Sequence, residues 1–99
     1  RVFGNGRGTP PATPRGLAVR RDRDRRNAVA TWEPVPGAVG YNVLWGIAPD
    51  QLYQTYQVFA DRPGSLEIRA LTGRERYYFA VEAFSEYGVS PPSPVVAVP

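Results

Sequence analysis

The chain has 99 residues, with 12 basic against 9 acidic side chains, and its formal net charge is therefore +3. This length suits one domain, which can bury roughly two-thirds of the surface of its unfolded chain. Cysteine and histidine are absent, which excludes disulfides, thiolate zinc sites, and the commonest general base and nucleophile of enzymes. No apolar run approaches the roughly 20 residues of a membrane span and no signal-peptide pattern is present, so we expect no membrane partner.

The first segment is rich in glycine and proline. Residues 4 to 14 read GNGRGTPPATP, a composition that favours extended or polyproline conformations. We therefore predict that residues 1 to 13 are a linker that includes the tail of a preceding domain, and that one domain spans residues 14 to 99. Residues 9 to 14 should be a semi-rigid extension because they contain three prolines, and the glycines ahead of them should provide the hinge.

After residue 14 the pattern changes to short apolar alternations, and no helical period of 3.6 residues persists. Prolines and glycines separate the alternations, and both residue types fit the interior of a β-ladder poorly. In chain order, the predicted strands are residues 16–20, 27–33, 40–46, 52–59, 65–69, 75–84 and 94–98. Seven short strands at this spacing predict an all-β fold, a sandwich of two antiparallel sheets.

The inward face of each strand follows from the two-residue period of β-structure. In the sixth strand one alternating set contains Glu82 and the other contains no carboxylate, so the second set should face the core. The same period groups alanines with Trp32 on the second strand, and Tyr41 with Trp45 on the third. The predicted core residues are Leu17, Val19, Ala28, Ala30, Trp32, Tyr41, Val43, Trp45, Leu66, Ile68, Leu71, Tyr77, Phe79, Val81 and Ala83.

Residues 20 to 26, RRDRDRR, contain five arginines and two aspartates and so carry the whole net charge. They lie between the first two predicted strands, and Asp22 and Asp24 are residues that favour turns. A nucleic-acid interface would spread its positive charge over a groove and add stacking aromatics. We interpret the segment as the solvated turn of a hairpin and expect no nucleic-acid partner; weak attachment to acidic surfaces is the alternative.

Two patterns would be compatible with catalysis. Glu82 and Glu86 are the nearest candidates for a glycosidase pair, but the first should face outwards from a flat sheet and the second should lie in a loop. The GNGRG run of residues 4 to 8 has the composition of a phosphate-binding loop, but prolines follow it instead of a helix. We therefore expect that the domain is not an enzyme and that it binds no metal or other cofactor.

The aromatic side chains are too numerous for a core of this size. On one sheet face they would form apolar platforms for sugar rings, with Gln54, Gln57 and Glu82 as hydrogen-bonding neighbours, or they would cover a joint with an adjacent domain. Packing against one another as cross-strand pairs is the favoured interpretation, because aromatics are common in ordinary strands. Of the two binding uses, the domain contact is favoured. The candidate surface residues are Tyr53, Tyr56, Phe59, Tyr78, Phe84 and Tyr87.

Several segments together resemble a fibronectin type III domain. They are residues 14–17, Trp32-Glu33-Pro34, residues 40–43, LTGRERYYFAVEAF at residues 71–84, and residues 87–90. The resemblance covers about residues 12 to 98 and implies a seven-stranded antiparallel immunoglobulin-like sandwich that acts as a noncatalytic spacer or binding module. Thr72 stands where the family usually has a proline, which weakens that turn. The residues with implied structural roles are Trp32, Tyr41, Trp45, Leu71 and Tyr77.

A narrower resemblance concerns residues 45–59, WGIAPDQLYQTYQVF, together with residues 65–84. They look like the fibronectin-type module on the C-terminal side of bacterial family 43 glycoside hydrolases, where an RVFG-like strand end and a glycine-rich link also precede the module. The resemblance implies an accessory or spacer module of a secreted polysaccharide-degrading enzyme, extracellular or at the cell surface. Its partners would be adjacent domains of the same chain, or polysaccharide if the aromatics bind it, and the isolated module would be a monomer.

Tyr77 provides a first test. In this architecture the hydroxyl of the corner tyrosine donates a hydrogen bond to a backbone group a few residues upstream, here between Leu71 and Gly73. Replacing Tyr77 by Phe should therefore lower the free energy of unfolding by about 1 kcal/mol, the usual net contribution of such a bond. Urea denaturation of both proteins measures the difference, and an unchanged midpoint would show that the corner is assigned wrongly.

Overall fold

The structure is a computed structural model that describes residues 10–60, 65–69, 71 and 75–98. The described residues form strands and no helix. They therefore include no helix that is long and apolar enough to cross a membrane. The strands are β1 Ala18–Arg21, β2 Ala28–Thr31, β3 Gly40–Gly46, β4 Gln54–Phe59, β5 Ser65–Ile68, β6 Tyr77–Ser85, β7 Gly88–Val89 and β8 Val96–Val98.

The strands form two antiparallel sheets. One sheet has the order β1-β2-β5, and the other has the order β4-β3-β6-β7, with β8 also paired to β6. The predicted all-β sandwich is confirmed, and each predicted strand is present with bounds that agree within about two residues. The prediction missed β7, because a strand of two residues is too short to show an alternation.

The core lies between the two sheets, and the predicted inward face of β6 is confirmed. Phe79, Val81 and Ala83 are buried, whereas Glu82 is partly exposed. The predicted core residues of β2 and β3 are buried or half-buried, and Ile68 and Leu71 belong to the same cluster. The partly buried side chains that pack against it include Leu17, Val19, Trp45, Leu66 and Tyr77.

Tyr41 fixes the connection between β2 and β3. Its hydroxyl accepts a hydrogen bond from the N–H of Val35 at 2.8 Å, and its ring packs edge-on against Trp32 with centroids 5.4 Å apart. The next turn closes where the N–H of Ala38 donates to the carbonyl of Val35 at 3.2 Å. Gly37 has a φ of 81°, as the third position of a type II turn requires. The tyrosine corner expected at Tyr77 involves residues 72 and 73, which lie outside the described residues.

A proline-rich stretch runs beside β6. Residues 90 to 94 read SPPSP, and prolines have no N–H to donate. The N–H of Ser90 donates to the carbonyl of Ala83 at 2.7 Å, and its hydroxyl accepts from the N–H of Ala83 at 2.9 Å. Ser93 makes the same two bonds with Val81, at 2.9 Å and 3.0 Å. Both serines are buried. Each of them satisfies one backbone carbonyl and one backbone N–H of β6 that no neighbouring described strand pairs with.

Ser93→Ala should lower the free energy of unfolding by about 1–3 kcal/mol, because the buried N–H of Val81 would lose its acceptor. Ser85→Ala is the matched control, since the hydroxyl of Ser85 accepts from the N–H of Tyr87 in an exposed turn and its loss should cost no more than about 0.5 kcal/mol. Chemical denaturation compares the two. A loss at Ser93 that is no larger than the loss at Ser85 would show that the N–H of Val81 finds another acceptor.

Candidate functional site

The outer face of the larger sheet carries apolar residues in one row across four strands. The register pairs Gly40 of β3 with Phe59 of β4 and with Phe84 of β6, and it pairs Phe84 with Val89 of β7. Directly paired residues share a face, and this face is opposite to the one on which the neighbouring Tyr41 is buried. Phe59 and Val89 are 52% and 51% exposed. Phe59, Phe84 and Val89 are called the apolar row below.

Gly40 allows the two phenylalanines to meet. Their ring centroids are 6.5 Å apart at an interplanar angle of 77°, an edge-to-face geometry that aromatic pairs prefer. A Cβ on Gly40 would lie 2.5 Å from Cζ of Phe84, which is closer than real Cβ contacts. The ring of Phe84 therefore covers the backbone of Gly40, and any side chain at that position would displace it.

A row of polar residues runs beside the apolar row on the same face. Two residues further along the strands, Asn42 pairs with Gln57 of β4 and with Glu82 of β6. Nδ2 of Asn42 donates to Oε1 of Glu82 at 2.9 Å. Two aromatic rings thus lie next to amide and carboxylate groups on one face of the sheet. Across the described ranges, no cluster of three or more acidic side chains could hold a metal ion.

Tyr56 and Gln54 lie on the other face of β4. The register pairs Tyr56 with Val43 and Gln54 with Trp45, and Val43 is buried in the core. Tyr56 therefore points to the inner side of its sheet, where it lines an open groove with Trp45 and with Glu67 of β5. The side chain of Tyr56 therefore lies at the lateral edge between the two sheets, and not on the outer face that carries the apolar row.

The remaining three candidate aromatics are dispersed. Tyr78 is paired with Gly46 at the far end of the outer face and is half-buried. Tyr53 is 80% exposed and precedes β4, while Tyr87 lies in the turn between β6 and β7. Of the six predicted surface residues, the structure brings Phe59 and Phe84 into ring contact and places the other four elsewhere.

The described part of the predicted linker packs against the domain. A Cβ on Gly88 would lie 3.2 Å from Cγ of Pro10, so the segment passes close to β7. The hydroxyl of Thr13 donates to the carbonyl of Pro91 at 3.1 Å. Two further prolines of this segment are buried, Pro11 and Pro14. Residues 10 to 14 therefore lie along the surface of the sandwich, and residues 1 to 9 are outside the described range.

The chain enters and leaves the domain at opposite poles. Pro10 lies beside Gly88, which follows the end of β6, whereas Val98 pairs with Tyr77, the first residue of β6. The nine residues of β6 rise by roughly 26 Å. The apolar row includes the end of β6 and therefore lies at the pole where the chain enters.

Residues 22 to 26 of the arginine-rich segment connect β1 to β2, whereas Arg20 and Arg21 belong to β1. The N–H of Asp22 donates to the carbonyl of Asn27, and the N–H of Asn27 donates to the carbonyl of Asp24, both at 2.9 Å. Nε and Nη2 of Arg26 donate to the carboxylate of Asp24 at 3.1 Å and 2.9 Å. These side-chain bonds, followed by the backbone N–H of Arg26, lower the pKa of Asp24, and the carboxylate in turn raises the pKa of Arg26. Because both groups are exposed, the pair adds little stability.

Arg21 departs from the interpretation as a solvated turn. Its guanidinium lies over the ring of Tyr77, with Cζ 5.2 Å from the ring centroid. It also donates to the carbonyl of Arg25 within the turn and to the carbonyl of Glu75 before β6. Arg21 is half-buried. It therefore fastens the turn to the segment that precedes β6, a role that the composition of the turn did not indicate.

Neither a protein-family model nor a curated protein matches the chain. Among solved structures, it is similar to an Fn3-like protein from Clostridium thermocellum, with 26% identity, a TM-score of 0.80, and coverage of 90% of this chain and 92% of that one. It is also similar to the FN1-FN3 domains of chicken CNTN1, with 25% identity, a TM-score of 0.78, and coverage of 89% and 32%. The fn3 domain of human contactin 1 has 21% identity and a TM-score of 0.80, with coverage of 98% and 83%.

Arg21→Gln should lower the free energy of unfolding by about 1–2 kcal/mol, because it removes the contact with Tyr77 and two charge-assisted hydrogen bonds. Arg20→Gln makes the same charge change at an exposed neighbour and should stay within about 0.5 kcal/mol. Arg21→Lys keeps the charge but cannot span both carbonyls, so it should recover only part of the loss. Equal effects of the Gln substitutions at the two positions would show that net charge and not contact geometry matters here.

Proposed function

We propose that this chain, which has the fibronectin type III fold, is a noncatalytic accessory module that holds its neighbouring domains at a fixed distance and orientation. The parent protein that we propose is a secreted bacterial glycoside hydrolase that degrades polysaccharide, so the module would act outside the cell or at its surface. The sequence resemblance described above supports this parent. The observation that carries the spacer role is the packing of residues 10 to 14 against the sandwich.

That packing sets the direction in which the chain enters. Thr13 is held by its bond to Pro91, and the buried prolines of this segment have a fixed φ. A segment with these constraints cannot serve as a hinge at this position. Any hinge ahead of the module must therefore lie before Pro10, and the module and its entry segment move together as one unit.

The position of the ends suits a spacer. Because the entry segment and Val98 lie at opposite ends of β6, a neighbour on each side would be separated by the length of the sandwich. β6 is paired with β3 over seven residues and lies in the sheet interior, so the element that separates the two poles is also among the best supported in the fold.

The apolar row supports a contact with the preceding domain. It lies at the entry pole and includes Val89 of β7, the strand against which Pro10 packs. Phe59 and Val89 are about half-exposed, and the register places them in one row with Phe84, so they would supply the apolar part of such a contact. Contacts between domains of one chain are of modest size and more polar than obligate interfaces, which agrees with a short apolar row that is flanked by Asn42 and Glu82.

Carbohydrate binding is the second candidate function, and the neighbouring apolar and polar rows favour it. The Phe59–Phe84 pair would contact the apolar face of a sugar ring, and Gln57 and Glu82 would contact its hydroxyls. Affinity electrophoresis on xylan, arabinan and cellulose separates the two functions. Retarded migration that Phe59→Ala abolishes would favour binding, whereas unretarded migration on all three favours the spacer.

Thr13→Val tests the spacer role in the full-length parent protein, because it removes the bond to Pro91 and keeps the volume of the side chain. We expect a broader distribution of interdomain orientations, measured by small-angle X-ray scattering and by residual dipolar couplings. Thr31→Val is the matched control, since Thr31 is exposed and lies in the other sheet. An orientation distribution that Thr13→Val leaves unchanged, or that Thr31→Val broadens equally, would show that the packing of the entry segment does not set the orientation.

A further inference from the structure

We propose that the open edge of β4 pairs with β4 of a second copy of this chain, which joins two of the larger sheets across a two-fold axis. β4 pairs with β3 on one side, and no other described strand pairs with it. An unpaired edge presents N–H and carbonyl groups that another strand can bind. The proposal replaces the monomer that the family resemblance implied, and it does not depend on the spacer role.

The ladder shows which residues of β4 face the open edge. The N–H of Ala60 donates to the carbonyl of Val39 at 2.8 Å, directly beyond the pair of Gly40 with Phe59. Bonded and non-bonded pairs alternate in an antiparallel ladder. The backbone groups of the even-numbered residues of β4 therefore point to β3, and those of the odd-numbered residues point to the open edge: Thr55, Gln57 and Phe59.

β4 lacks the features by which proteins protect exposed edges. Its sequence, QTYQVF, contains no charged residue, proline or glycine, and five of its six residues are exposed. The edge strands of the other sheet both carry charge, with two arginines in β1 and Glu67 in β5. Charged side chains and prolines are the usual protection against edge-to-edge pairing. Pairing two copies of β4 therefore places no like charges of the strand itself opposite each other.

One two-fold register uses all three edge-facing residues. It sets Gln57 opposite Gln57 of the second copy, and Thr55 opposite Phe59 of the second copy. Three bonded pairs of this kind form roughly six backbone hydrogen bonds. The register also sets Tyr56 opposite Val58 of the second copy, so that each face of one sheet continues into the same face of the other. Since one strand pair buries little area, we expect a weak dimer that forms at high micromolar to millimolar concentration.

Sedimentation equilibrium and amide chemical shifts, recorded from micromolar to millimolar concentration, test the proposal. The mass should rise towards that of a dimer, and the concentration-dependent shifts should be centred on Thr55, Gln57 and Phe59. Gln57→Lys should weaken the dimer at least tenfold, because it places two positive charges opposite each other at the axis. Gln57→Pro should do the same by removing the central N–H, and an edge position tolerates proline.

Ile47→Lys is the matched control, because it adds the same charge at a position that is 60% exposed and lies outside β4. It should dimerise like the unsubstituted chain, and dispersed amide spectra confirm that each variant is folded. A mass that stays monomeric up to millimolar concentration overturns the proposal. So does a dimer that Gln57→Lys leaves intact, or one whose shifts are centred on Phe84 and Val89, since the apolar row would then form the contact.

Discussion

The need to pair the buried backbone of β6 on both of its sides governs much of this structure. Along one side, β3 supplies partners for seven consecutive residues. Along the other side, β7 and β8 pair only with the two ends of β6. Ser90 and Ser93 complete the middle with their N–H groups and their hydroxyls. A buried N–H of β6 that lacked an acceptor would destabilise the fold by about 1–3 kcal/mol, so the two serines add to the stability that the apolar core residues provide.

The same segment also connects the core to the proposed function. The serines hold residues 90 to 94 against β6. The carbonyl of Pro91 accepts hydrogen bonds from the hydroxyl of Ser90 and from the hydroxyl of Thr13. Because prolines leave no N–H for a neighbouring strand, this segment cannot continue the sheet, and the entry segment packs beside it. Where the ladder is interrupted, the hydroxyl groups of Ser90 and Ser93 accept hydrogen bonds from β6. The bond between Pro91 and Thr13 in turn holds the entry segment against the sandwich.

Strand alternation made most of the fold predictable, since the inward faces of β2, β3 and β6 follow from residues such as Trp32, Val43 and Phe79. The dispersal of the candidate aromatics was partly predictable for the same reason: Tyr56 and Phe59 are three positions apart, so one continuous strand cannot direct both to one face. Their sheet neighbours were not predictable. The contact of Phe84 with Phe59 across Gly40 depends on the order and register of three strands, which no local pattern in the chain specifies.

The arginine-rich turn shows the same division between composition and geometry. Its charge and its turn-forming aspartates were evident from the sequence, and they describe Arg26 well, which pairs with Asp24 in solvent. Arg21 differs because it belongs to β1, where it lies two residues after Val19 and so shares the inward face. At the open end of the sandwich that face leads to the ring of Tyr77, and the guanidinium covers it. Position within the strand, and not the charge of the segment, therefore determines which arginine contacts the core.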